Sequence, residues 1–101
     1  MLEIRPICEN CGKNLPNDSN DAMICTFECT FCADCVTDVL QNVCPNCGGG
    51  FEKRPTRPTE CITQNCLANF PAASDKRHKP VNLEKLKLLK SHFLTTDPRK
   101  R

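Results

Sequence analysis

The chain contains no tryptophan and no tyrosine, and five phenylalanines make up its whole aromatic complement. Surfaces that hold single-stranded nucleic acid stack bases on aromatic rings, and two of the suitable ring types are missing here. No apolar run approaches the ~20 residues a membrane-spanning helix needs, so a membrane is not expected among the partners. The opening Met1-Leu2-Glu3-Ile4-Arg5-Pro6 has no basic stretch followed by an apolar one, and nothing in it reads as an export signal. Histidine occurs only at His78 and His92, which read as solvated surface residues. No Ser/His/Asp or Cys/His set can be assembled from such a distribution, so neither a catalytic site nor a small-molecule substrate is expected.

Large apolar side chains are also scarce. The first fifty residues offer little beyond Ile4, Ile7, Leu15, Ile24, Phe27, Phe31, Val36, Val39, Leu40 and Val43. A core this thin needs metal or disulfide staples.

Cysteine is what the chain has in excess, ten in 101 residues. Eight of them, Cys8, Cys11, Cys25, Cys29, Cys32, Cys35, Cys44 and Cys47, fall in three Cys-x2-Cys pairs and one Cys-x3-Cys pair. A hairpin carrying Cys-x2-Cys can turn both sulfurs onto one ion, and Zn²⁺ takes four N/S ligands in a tetrahedron. Two pairs therefore make one closed structural site, and four pairs make two. Without an export signal the expected setting is the reducing cytoplasm, where such spacing reads as metal binding rather than a disulfide framework. Cys61 and Cys66 are left over, and the reading for them is buried free thiols, with a disulfide or a third metal site as alternatives.

Metal changes the charge. The formal value is +2 with every cysteine neutral. Eight thiolates and two divalent ions bring minus eight and plus four, so the loaded chain carries about −2. Residues 1–50 hold two basic side chains against seven acidic ones, and become about −9 with both sites filled. Residues 51–101 hold twelve basic against five acidic, +7. An acidic, metal-bound head is followed by a basic tail.

After Cys35, residues Val36, Val39, Leu40 and Val43 recur at helical spacing, which predicts a short helix over residues 34–42. Pro16-Asn17-Asp18-Ser19-Asn20-Asp21 reads as a polar loop. Lys53-Arg54-Pro55-Thr56-Arg57-Pro58 resists helix and central strand alike. The expected organisation is a zinc-binding domain over 1–52, a basic Pro-rich linker over 53–60 and a basic tail over 61–101. In the tail Asn82 is the N-cap expected for an amphipathic helix over 83–94, and Asp97–Arg101 are expected to fray.

The predicted helix also restricts which cysteines share an ion. Eight residues at helical rise would separate Cys35 from Cys44 by about 12 Å, too far for one tetrahedron. The pairs 32/35 and 44/47 then belong to different ions. Placing Cys25, Cys29, Cys32 and Cys35 together remains possible but crowds eleven residues around one ion. The other choice is interleaved, with Cys8, Cys11, Cys32 and Cys35 on one zinc and Cys25, Cys29, Cys44 and Cys47 on the second.

This order of pairs over residues 8–47, ending in a short helix and Cys44-Pro45-Asn46-Cys47, resembles the RING-finger cross-brace, with Cys29 where many RING domains place a histidine. The implied fold class is a small metal-stabilised α+β domain, RING-like or treble-clef. More closely, Met1–Pro6, Phe27–Cys35 and Cys44–Gly49 resemble a family of short bacterial proteins known only as a domain of unknown function, with similarity fading after about residue 58. That resemblance implies a bacterial, cytoplasmic setting and no established activity. Gly48, Gly49 and Gly50 read as scaffold that turns backbone N–H groups toward the thiolates.

The functional expectation is a zinc-binding, non-catalytic module that docks an unidentified protein partner. Binding of nucleic acid through Lys53, Arg54, Arg57, Lys76, Arg77, Lys79, Arg99, Lys100 and Arg101 is the alternative, opposed by the acidic head. A ubiquitin-ligase role is implied by RING resemblance alone. RING domains of that kind place an aliphatic residue in the first knuckle and a basic one after the last cysteine, where this chain has Glu9-Asn10 and Gly48.

Overall fold

A computed structural model describes all residues, 1–101. Its framework is a set of tight turns, each displaying a cysteine pair. Residues 6–15 fold back on themselves, with Leu15 N–H donating to Pro6 O, Cys8 N–H to Lys13 O, and a bridge between Ile7 and Asn14. Gly12 closes this turn at φ 78°, a left-handed conformation that costs a residue with a Cβ.

Strand β1 (Ala22–Ile24) and strand β2 (Thr30–Cys32) form an antiparallel hairpin in the register Ala22↔Cys32, Met23↔Phe31, Ile24↔Thr30. The Cys25-x3-Cys29 knuckle is the turn of this hairpin, and Glu28 takes its left-handed position at φ 65°. Strand β3 (Glu52–Lys53) adds to the other edge of β1, giving the order β2-β1-β3. Cys44, with its N–H on Gly49 O, and Gly48, with its N–H on Cys44 O, close the last knuckle.

The helix predicted over 34–42 is present but shorter and wider. It starts at residues 33–34 and runs as a π-type helix over Cys35–Leu40. Gln41 and Asn42 are both left-handed, φ 49° and 59°, and end it two residues early. Asn42 then serves the next turn, its side-chain oxygen accepting from Phe51 N–H at 2.8 Å.

The core is small. Leu15, Ala22, Phe31, Val36, Leu40 and Phe51 are buried among the sulfurs, with Phe31 and Phe51 edge to face at 5.6 Å between ring centres. Beside it lies a buried polar lattice. Glu9 Oε2 accepts from Arg5 Nη1 at 3.1 Å and from Thr30 N–H at 2.7 Å. Burial works to lower the Arg5 pKa, but Glu9 and Glu3 outweigh it and hold the guanidinium above its ordinary value. Arg54, 2% exposed, has no carboxylate partner. It donates instead to three backbone oxygens, those of Arg5, Leu15 and Pro16.

The segment read as a linker is therefore tied to the head at its start, through β3 and Arg54. Arg57 holds it further along, by a reciprocal pair of bonds with the Asn17 side chain. Helix α1 (Leu83–Phe93) has Asn82 as its cap, Oδ1 accepting from Glu84 and Lys85 N–H. Of the apolar face expected for it, Leu86 is fully buried in the core and Leu89 and Phe93 are half-buried, while Leu83 and Leu94 are exposed. The last residues do not fray: Pro98–Lys100 form one 3-10 turn capped by Asp97, and Arg101 donates to Asn42 O and Gly48 O. No helix is long and apolar enough to cross a membrane.

Candidate metal centres

Two chain segments bring the sulfurs of Cys8, Cys11, Cys32 and Cys35 together, all within 4.8 Å of one another. Two come from the first knuckle, and two from the end of β2 and the start of the helix that follows. Cys11 Sγ and Cys32 Sγ are 3.7 Å apart. Thiolates about 2.3 Å from a central ion define a tetrahedron with edges of about 3.8 Å. The cluster thus has the donor chemistry and the spacing to hold a metal ion.

The second group is Cys25, Cys44 and Cys47, again within 4.8 Å. Cys29 stands just outside that mutual distance, with its thiol beside those of Cys44 and Cys25. The eight spaced cysteines therefore divide between two clusters in the interleaved order, pairs 8/11 and 32/35 in one and pairs 25/29 and 44/47 at the other.

Polar hydrogens converge on the sulfurs in both places. Cys11 N–H donates to Cys8 Sγ at 3.5 Å, and the Asn10 side-chain amide to Cys35 Sγ at 3.4 Å. Around the second cluster Phe27 N–H reaches Cys25 Sγ at 3.3 Å, the Asn46 amide reaches Cys29 Sγ at 3.3 Å, and Gly49 N–H reaches Cys47 Sγ at 3.4 Å. Such donors disperse thiolate charge and fix the ligands for a metal.

The thiols titrate unevenly. The Cys44 thiol pulls Cys29 down to about 5, while Cys44 itself, beside Cys29 and buried, is driven far up. Burial pushes Cys25 up to about 11, Cys35 up to about 12, and Cys32 upward as well. Burial opposes ionisation of Cys11 too, but the Lys13 backbone N–H and the neighbouring thiols outweigh it and hold Cys11 below its ordinary value. Four crowded sulfurs cannot all carry charge unless a cation sits among them.

The tail reaches both clusters, which its composition did not reveal. His78 Nε2 lies 3.0 Å from Asn10 O, and Val81 N–H donates to Asn10 Oδ1 at 3.0 Å, so the first knuckle is held from outside. Phe93 lies over Gly48 so closely that a Cβ there would clash with its Cε2. His78, read as solvated, is a contact residue of the first knuckle, and His92 stays exposed on α1. Cys61 and Cys66 take no part in either cluster. They are joined to each other in a disulfide rather than left as free thiols.

Residues 1–57 match the family model described as protein of unknown function, DUF1272. The chain belongs to this family. A relative from Rhizobium meliloti (strain 1021), described as an uncharacterized protein, is 51% identical over 80 residues, 79% of this chain and 89% of the relative. The family match ends where the resemblance was expected to fade, and it takes in both DUF1272 cysteine clusters, β3 and Arg54. Similarity to the rhizobial protein continues into the tail, since its 80 residues exceed the 57 of the family match. No solved structure matches the chain.

Proposed function

We propose that the chain is a zinc-binding, non-catalytic protein-interaction module with a RING-like cross-brace and one Zn²⁺ at each cysteine cluster. The observation that carries the reading is the all-sulfur donor set, with its tetrahedral edge of 3.7 Å between Cys11 and Cys32. Four-thiolate tetrahedral sites are characteristic of structural zinc, which stabilises folding and leaves no coordination position for water or substrate. Cys8, Cys11, Cys32 and Cys35 would hold the first ion, and Cys25, Cys29, Cys44 and Cys47 the second, Cys29 moving in by a small shift of its turn. In this reading the zinc supplies folding energy and no chemistry.

The surface around the second site supports an interaction role. Phe27 is 70% exposed although its backbone is pinned to Cys25 Sγ, so the fold displays an aromatic ring on a rigid knuckle. Glu28 follows it, in a head of about −9 with both ions bound. A partner offering an apolar pocket with a basic rim matches this face. Nucleic acid is less suited, because several of the candidate cations are already engaged: Arg54 with three backbone oxygens, Arg57 with Phe70 O and Leu2 O, and Arg101 with Asn42 O.

The test is native mass spectrometry of the chain isolated from its own cells without added metal. Two zinc ions and a protein partner that is lost on Phe27→Ala would support the reading. Turnover of a substrate, or a partner retained equally by zinc-free protein, would overturn it.

A further inference from the structure

Cys61 and Cys66 form the one disulfide in a chain whose other eight cysteines are free thiols. Resting on the metal-binding reading proposed above, the eight spaced cysteines must stay thiolates, and in surroundings that keep them so a disulfide is usually transient, catalytic or redox-sensing rather than structural. As a staple this bond is weak. Its cysteines are only five positions apart, and the entropy removed by closing a loop grows with loop length.

Its two sulfurs also differ in access. Cys61 is exposed, whereas Cys66 is wholly buried. The turn between them holds Gln64 in a left-handed conformation, φ 71°, which a residue with a Cβ adopts only when its surroundings impose it. From Cys66 the order spreads outward. Cys66 O accepts from Asn69 and Phe70 N–H, Leu67 N–H donates to Pro58 O, and Phe70 O accepts from Arg57, whose guanidinium also reaches Leu2 O.

We propose that Cys61 and Cys66 are a reversible dithiol–disulfide redox site, with low-molecular-weight thiols and their disulfides as reaction partners, whose state sets the order of residues 58–70 while both cysteine clusters stay intact. A thiolate attacks Cys61 Sγ, the accessible sulfur, the Cys61–Cys66 bond breaks, and its electron pair leaves on Cys66, which takes a proton. A second thiolate attacks the outer sulfur of the mixed disulfide at Cys61 and releases Cys61 as a thiolate, which is then protonated. The chain gains two electrons and two protons, and two small thiols become one disulfide. The reverse sequence, begun by a small disulfide, closes the bond again. Opening frees Gln64 from its left-handed state and detaches the turn that Arg57 ties to the head.

The metal-loaded full chain is equilibrated with reduced and oxidised glutathione in varied ratio, alkylated with iodoacetamide and mapped by peptide mass, with metal content and hydrogen exchange followed in parallel. The expected result is reversible labelling of Cys61 and Cys66 alone, at unchanged metal content, with exchange over residues 58–70 at least tenfold faster in the reduced form. Cys66→Ser should collect a glutathione mixed disulfide at Cys61, and Cys61→Ser should leave Cys66 unreacted. Metal content reports whether each variant is folded. The proposal is overturned if both residues are alkylated in oxidised buffer, if the bond yields only under denaturant, or if reduction releases metal.

Discussion

Substituting Gly48 by Ala adds one methyl group and tests whether the tail is seated on the head. Two costs arise at this position. The backbone sits at φ 78°, where a Cβ costs about 1–2 kcal/mol. The new methyl would also overlap Phe93 Cε2 and stand 2.8 Å from Cδ2, so either the ring or α1 has to move. Overpacking of that kind costs typically about 1–3 kcal/mol. Gly48→Ala in the otherwise unaltered chain should therefore destabilise by about 2–5 kcal/mol. With Phe93→Ala already in place the clash disappears and the backbone cost stays, so the same change should cost only about 1–2 kcal/mol. The assay is denaturant unfolding of all four forms of the cycle at one fixed free-zinc concentration, since bound metal shifts apparent stability by mass action. A coupling of about 1–3 kcal/mol is predicted. If Gly48→Ala costs the same in both backgrounds to within about 0.5 kcal/mol, the ring is not on the last knuckle and the docked tail is wrong.

Glu9→Gln removes the nearer of the two carboxylates at the buried Arg5 guanidinium and leaves Glu3 Oε1 at 3.6 Å, so the expected cost is about 1–3 kcal/mol, readable as a lower unfolding midpoint. Arg54→Met keeps much of the bulk but leaves Arg5 O and Leu15 O without a donor, while Pro16 O keeps Ser19 N–H; at about 1–3 kcal/mol for each orphaned acceptor the variant should be clearly destabilised, and an unchanged midpoint would mean that water replaces the guanidinium. A strong zinc chelator should abolish the dispersed amide signals of the folded head, because a core this small depends on metal worth about 10–16 kcal/mol in comparable sites. Retention of the native spectrum without metal would show that the core suffices alone.

Much of the head was legible because its rules are local. Cysteine spacing marks knuckles whatever surrounds them, and Val36, Val39 and Leu40 mark a helix whose length forces the last two pairs apart. The π-type widening and the early stop at Gln41 were not legible, since they go with left-handed Gln41 and Asn42 and with a bond from Phe51 N–H to the Asn42 side chain across the next turn, which no helical spacing encodes. Neither was the role of Arg54. Beside two prolines it reads as part of a basic linker, and only the fold shows three backbone oxygens gathered around it. The tail was the least legible part. Its charge marked it as basic and left its position open, yet Asn10 receives Val81 and meets His78 across about seventy residues, a pairing that no periodicity encodes. Asn82 was readable as a cap because capping chemistry lies within three residues of itself.

Metal stoichiometry across single cysteine substitutions tests the central claim most directly. The unaltered chain should bind two zinc ions, while Cys35→Ser and Cys25→Ser should each reduce this to one, and the double substitution Cys32→Ser with Cys35→Ser should still leave the second ion in place. Losing both ions on Cys32→Ser with Cys35→Ser, or finding one or three ions in the unaltered chain, would contradict two separate interleaved sites.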